Sequence, residues 1–578
     1  MKYPNLTELP TTREIVDVFN GYNHNLRIGE GEFYDMTNLS SDNYPVLSPR
    51  SQRGIYATPK APQGMVAKDA LCYVDGGDFV INEYHVPMEL NEDAPKTLIS
   101  MGAYVIIMPD KKYINTADYT DFGSIEATVK TTTTVNFEMC KVDGTGYDNV
   151  MVRATPPPEP QNMDLWIDTS ETPHVLKQYS STTAMWSTIA TTYIKVSASG
   201  IGKPFSVNDG VTISGIEDES LSDLNASMVI WAKGDDYIVV TGIIDKVISQ
   251  DTSITVSRKM PNMDFIIESE NRLWGCRYGV ALNGEIVNEI YASKLGDFKN
   301  WNCFMGISTD SYAATVGTDG QFTGAITHLG YPLFFKENYV HKIYGNYPAN
   351  YQIQTTACRG VQKGCERSLA IVNEVLYYKA RSAICAYDGS LPAEMSSALG
   401  DEVYGKAVAG VLGNKYYISM QDANEQYHLF VYDTKKSMWH REDDTQAMDF
   451  CNCRGDLYFI DYADNQIKTV RGTGIKETAP IKWNATTGVI GTDSPDKKYI
   501  SRMDVRMSLE VGARVAFYAE YDSSGAWEHL FTMTGTKLGS FAVPIRPKRC
   551  DHMRIKIIGY GDAKIYSICK TIEQGSDV

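Results

Sequence analysis

The feature that most restricts what this 578-residue chain can become is a recurring hairpin. A short run with aromatic and β-branched residues is followed by a turn and then by a second such run. It is found at residues 70–74 with 78–81, 103–108 with 111–114, 271–275 with 288–292, 331–335 with 340–344, 375–378 with 384–387, 415–418 with 428–433, and 456–460 with 466–470. Such runs bounded by turn residues read as paired strands. About seven hairpins recur at the spacing of small four-stranded sheets, and one such sheet cannot bury both its faces alone. The expectation is an all-β chain built on a β-propeller. No WD or kelch signature recurs, and stacked β-sandwiches would also give evenly spaced short strands.

The hairpins divide the chain. Residues 1–53, rich in Gly, Asn and Pro, are expected to form an N-terminal extended arm or an edge segment, and residues 54–122 the first propeller blades. Residues 123–261 differ in texture, with a Thr-rich run at 130–134 and prolines at Pro156, Pro157 and Pro158. They read as an inserted β domain, which a loop with adjacent ends can host. The remaining blades are expected over 262–476. The longer alternating runs at 500–507 and 554–558 give a C-terminal β-sandwich over 477–578. Helical signal is confined to short stretches near 12–19 and 365–370.

With 54 Lys and Arg against 71 Asp and Glu, the net charge of -17 disfavours sequence-specific DNA binding. It suits a wall past which DNA slides. No run approaches the length of a membrane-spanning helix, and no secretory leader is apparent at Met1, so folding in a cytoplasm is expected. The 11 cysteines are then reduced core thiols, including the close pair Cys451 and Cys453.

Arrangements that would compel an enzymatic reading fail one by one. Gly202-Lys203 is followed by Pro204 and Gly405-Lys406 by Ala407, so neither is a phosphate loop. No zincin or nucleophile-elbow pattern occurs. Asp235-Asp236 and Glu442-Asp443-Asp444 pair carboxylates as a glycosidase must, yet strand neighbours face opposite ways, and solvated turns are the expectation. Trp274, Trp301, Trp439 and Trp527 are expected in the core rather than stacked on sugars. His328, His341, His440 and His552 are read as structural. No catalytic, cofactor-binding or metal-ligating residue is assigned, and no cofactor is expected.

Three segments carry a family resemblance. They are Tyr44-Pro45-Val46-Leu47-Ser48-Pro49-Arg50, the stretch from Asn271-Arg272-Leu273-Trp274 through Tyr291-Ala292-Ser293 to Gly296-Asp297-Phe298-Lys299-Asn300-Trp301, and residues 544–568. The chain resembles the tail nozzle, or tail accessory (DNA-stabilisation), proteins of short-tailed bacteriophages; residues 123–261 are not matched. The resemblance implies a non-enzymatic virion structural protein. It would form a homo-oligomeric ring, six-fold, below the head-tail connector, through which DNA is retained and ejected. It implies contacts with portal or adaptor proteins above and tail fibre or tip proteins, non-specific passage of genomic DNA, and a place in the virion tail after assembly in the host cytoplasm. The alternatives are a host-surface glycan-binding or receptor-recognition tail protein, and a propeller glycoside hydrolase.

Overall fold

The computed structural model describes residues 11–280, 284–493 and 496–574. Seven small antiparallel sheets follow one another around a ring. The first blade runs from Pro62–Ala67 to Tyr84–Pro87, and the second from Thr97–Met101 to Asp118–Ser124. The third spans Phe265–Ser269 to Tyr312–Thr315, and the fourth Phe322–His328 to Gln352–Ala357. The fifth spans Ala370–Val372 to Ala393–Glu394, and the sixth Ala407–Leu412 to Met438–Arg441. In every blade the recurring hairpin supplies the second and third strands. The chain is an all-β propeller.

The seventh blade closes the ring. Its strands Ala447–Cys453, Asp456–Asp461 and Ile467–Thr469 are completed on the outside by Gly54–Ala57, which pairs antiparallel with Ile467–Thr469. The strand at 54–57 therefore belongs to the last blade, not the first. Ala447–Cys453 then packs against Pro62–Ala67 of the first blade. A strand borrowed from the far end of the sequence fixes closure with hydrogen bonds that blade packing alone would not supply.

Blades are buried on both faces, which explains their continuous apolar runs. In the second blade Val105 and Ile107 point into the core shared with the first blade, while Ile106 points into the core shared with the third, beside Leu273, Phe298 and Trp301. Trp274 and Ile290 face Phe334 and Ile343 across the next joint. Cys451 and Cys453 lie on the first strand of the seventh blade, half-buried and buried.

Between the second and third blades the chain leaves the ring along Ala127–Lys130 and returns along Thr255–Arg258, and these two strands pair from Ala127↔Arg258 to Lys130↔Thr255. The insertion thus adds no gap to the propeller. Two sheets enclose a core of Phe137, Ile194, Val211, Ile213, Ile238, Val240 and Val256. A third, four-stranded sheet holds Trp166 beneath Trp186. At the root, Arg258 pairs with Asp209, and Asn300 Nδ2 donates to the same carboxylate at 2.9 Å.

The C-terminal sandwich is built by a long bent hairpin. Lys498–Tyr521 pairs along one edge with Ala563–Gln574 in its first half and with Met553–Tyr560 in its second. Along the other edge its Met503–Ala519 part pairs with Glu528–Val543, with register shifts at Met507/Leu509, Leu509/Arg514 and Phe517/Tyr518. The ladder breaks between Leu509 and Arg514, where Val511 is fully exposed, and the two halves bury Met503, Val505 and Met507 with Val515 and Phe517 in a single core.

From Thr11 onward the opening segment is built into the sheets, with its first strand at an edge. Thr11–Val16, read as helical from sequence, is a strand paired with Ala563–Gln574, and Glu32–Thr37 pairs with Lys482–Thr487. Gly21–Tyr22 meets Trp439 of the sixth blade, joining propeller and sandwich in one ladder. Gly21 has φ +82° and a Cβ there would lie 2.3 Å from Trp439 O, so only glycine fits this junction. Helix propensity over 12–19 was weak, and pairing with an exposed strand outweighed it. The expected helix near 365–370 is a single 3-10 turn, Glu366–Ser368.

Candidate functional site

Most residues singled out from sequence lie inside the protein. Trp274, Trp301 and Trp439 are buried, as are His328, His341 and His440. Trp527 is half exposed, with Lys556 Nζ 4.0 Å from its ring centre. Asp235 and Asp236 lie in an exposed turn. The run Glu442-Asp443-Asp444 departs from the expected solvated turn. Only Asp444 is exposed; Glu442 is buried against Arg53 at 2.9 Å, and Asp443 lies 2.8 Å from Arg53. Two carboxylates are drawn in because a buried guanidinium needs them. Among the described residues, no cluster of three or more His, Cys, Asp or Glu is arranged to hold a metal.

The first candidate is the propeller axis, where a cavity of about 410 Å³ opens between the inner strands of five blades. It is lined by Lys96, Asp264, Glu366, Arg367 and Asp449 with Met65, Met108 and Phe265. Burial holds the Asp449 carboxyl above its ordinary range, opposed by Arg367 at 3.6 Å. Its oxygen also accepts from Met65 N–H at 2.9 Å. Arg367 donates to Met448 O at 3.0 Å and to Lys96 O at 2.9 Å. These contacts tie the seventh blade to the first and bring in the fifth. They act as a polar staple at the hub, and each polar group engaged has a partner within the protein.

A second constellation was missed from sequence because its members are 29 residues apart. Ser523 Oγ lies 2.7 Å from His552 Nε2, and His552 Nδ1 lies 3.0 Å from Asp551 Oδ2. This is the connectivity of a serine nucleophile, base and orienting acid. Ser523 has φ +49°. The surrounding amides, however, are committed. Asp522 N–H donates to His552 O, Ser524 N–H to Tyr521 O, and Gly525 N–H to Glu520. None of these is left to hold an oxyanion, and the contacts fasten the hairpin turn to the 551–552 loop.

The third candidate is an edge. Glu528–Val543 is a 16-residue strand paired only through Lys498–Tyr521; among the described residues no strand covers its other side. From Leu530 to Val543 its sole charge is Lys537, and it has no proline. Natural sheets blunt such edges with charges, prolines or bulges, because bare N–H and C=O groups recruit another strand. The opposite edge of the same half-sheet, Thr11–Val16, is likewise paired on one side only among the described residues. On the outward face Leu538 and Ile15 are 59% and 60% exposed.

No protein-family profile matches the chain, and no curated protein matches it. Solved structures similar to it include the exo-beta-1,3-galactanase of Phanerochaete chrysosporium, with 8% identity over 53% of this chain and 94% of that one, TM-score 0.21. U3-55K aligns at 6% identity over 73% of this chain and 99% of that one, TM-score 0.28. The Trypanosoma rangeli sialidase aligns at 8% identity over 98% and 96%, TM-score 0.21. At these values the chemistry of those proteins does not transfer.

Proposed function

We propose that this chain is a non-enzymatic structural component of a bacteriophage tail that self-associates into a ring-shaped conduit below the head-tail connector. The single observation that carries self-association is the edge Glu528–Val543, which no strand covers among the described residues and whose regular 539–543 end pairs Met503–Met507 without interruption. The virion address rests on the resemblance of the Asn271–Trp301 and 544–568 segments to tail nozzle proteins. The hub staple and the committed amides around Ser523 support a structural role, since groups that could serve chemistry are spent on packing.

DNA passing through such a ring would meet an uneven surface. Residues 498–574 carry twelve Lys and Arg against eight Asp and Glu, so the negative excess of the chain lies in the propeller and the insertion. An acidic channel wall, which avoids trapping phosphates, would therefore have to be formed by those parts.

Negative-stain electron microscopy of the purified chain, alone and beside virions, tests the reading. Rings that match a feature at the tail end are expected. A monodisperse monomer at all concentrations, with turnover of host polysaccharide, would replace it with the glycoside hydrolase alternative.

A further inference from the structure

We propose that the ring is sealed by strand addition between copies, the edge Glu528–Val543 of one chain pairing antiparallel with Thr11–Val16 of the next. This seam rests on the ring reading and specifies how neighbours join.

The polarity of the half-sheet makes the match. Thr11–Val16 runs antiparallel to Ala563–Gln574, which runs antiparallel to the first half of Lys498–Tyr521, which runs antiparallel to Glu528–Val543. The two outermost strands therefore point in opposite directions. When copies are set side by side the free edge of one meets the opposite edge of the next with antiparallel polarity, and the sheet continues without a break. Because the two surfaces differ, the contact is heterologous and generates a ring if the rotation closes. Closure would turn the half-sheets into a barrel with four strands from each copy, in which the six residues of Thr11–Val16 cover the 537–542 part of the edge.

The side chains select a register. Outward residues across the half-sheet are Thr11, Arg13 and Ile15 on one edge and, through the pairs Asp504↔Ala542 and Arg506↔Ser540, Ser540 and Ala542 on the other, with Leu538 next in alternation. A slip of one residue would place every side chain on the wrong face. Setting Ile15 opposite Leu538 also sets Arg13 opposite Ser540 and Thr11 opposite Ala542. The two most exposed apolar side chains of these edges then cover each other, and the exposed Asp17 comes beside the exposed Lys537. Both contacts favour a second copy over an unrelated acidic or basic partner.

The test is a disulfide trap in the full chain. The double variant Thr11→Cys/Ala542→Cys, oxidised at the concentration where rings form, is expected to give a ladder of covalent multimers. Either single variant, and the opposite-face pair Thr11→Cys/Val543→Cys, should lack that ladder. In parallel, Ile15→Lys/Leu538→Lys is expected to lose the ring in sedimentation while keeping its circular dichroism, and Ile15→Glu/Leu538→Lys to regain it. Rings visible by microscopy with no cross-link and no effect of paired lysines would overturn the seam while leaving the ring. Absence of rings under all conditions would overturn both.

Discussion

Arg53 Nη2 donates to Glu442 Oε2 at 2.9 Å with both side chains buried, joining the segment that enters the closing strand Gly54–Ala57 to the segment that leaves the sixth blade. Asp443, 2.8 Å from Arg53 and 3.7 Å from Arg50, and Glu477, 3.2 Å from Arg50, extend the pair. The network sits where the ring is closed by a strand remote in sequence.

Removing one partner of this pair leaves a buried charge uncompensated. Arg53→Ala is expected to cost about 3–5 kcal/mol in denaturant unfolding. Arg53→Met/Glu442→Leu should cost less than Arg53→Ala, because neither charge is then stranded. A double-mutant cycle reads the coupling.

At the hub, Asp449→Ala removes the acceptor of Met65 N–H and the carboxylate facing Arg367, which keeps its bonds to Met448 O and Lys96 O. A loss of about 1–3 kcal/mol follows, the cost of a buried donor left without its acceptor. Assayed on host polysaccharide, wild type and Asp449→Asn are expected to be equally inert. Turnover abolished by that one substitution would make the axis an active site.

His341 is wholly buried between the hydroxyls of Thr318 and Thr355, at 3.0 and 2.9 Å. Burial first, and then the nearby Lys336 ammonium, push its pKa down to about 4 from the ordinary 6.5. The folded state therefore holds the imidazole neutral while the unfolded chain takes a proton below pH 6.5. Stability from this group is complete above 6.5 and is lost as pH falls towards 4, by about 3 kcal/mol. His341→Gln should flatten that part of the stability profile in unfolding titrations from pH 7 to 4.

Trp483 is buried in the sandwich, its Nε1 donating to Gly561 O at 3.1 Å, and a Cβ on Gly559 would lie 2.0 Å from its ring. Trp483→Ala is expected to destabilise by about 3–5 kcal/mol through the cavity it leaves. Gly559→Ala should cost about 1–3 kcal/mol or more by overpacking. Thermal unfolding of both variants checks the pair.

For Ser523, hydrolysis of activated esters by the wild type is expected to match that of Ser523→Ala and His552→Ala. A rate that drops with either substitution would show the serine to be activated.

The sequence by itself determined the repeating unit. Runs such as Val105-Ile106-Ile107 and Leu333-Phe334-Phe335, each followed by a turn and a partner, specify strands buried on both faces, because the alternation of a strand sends neighbours to opposite joints and both must be apolar. The insertion was legible through its change in texture, and the sandwich through the clean alternation around Met503, Val505 and Met507. Only the tertiary structure decided what depended on partners distant along the chain. Thr11–Val16 became a strand because Ala563–Gln574 offered it a ladder. Gly54–Ala57 joined the seventh blade because the ring had to close. Glu442 became buried because Arg53 was already there, and Ser523 met His552 across a folded hairpin. The bare edge Glu528–Val543 belongs to the same class, since local preference makes a strand, whereas being covered or left open depends on what the fold sets beside it.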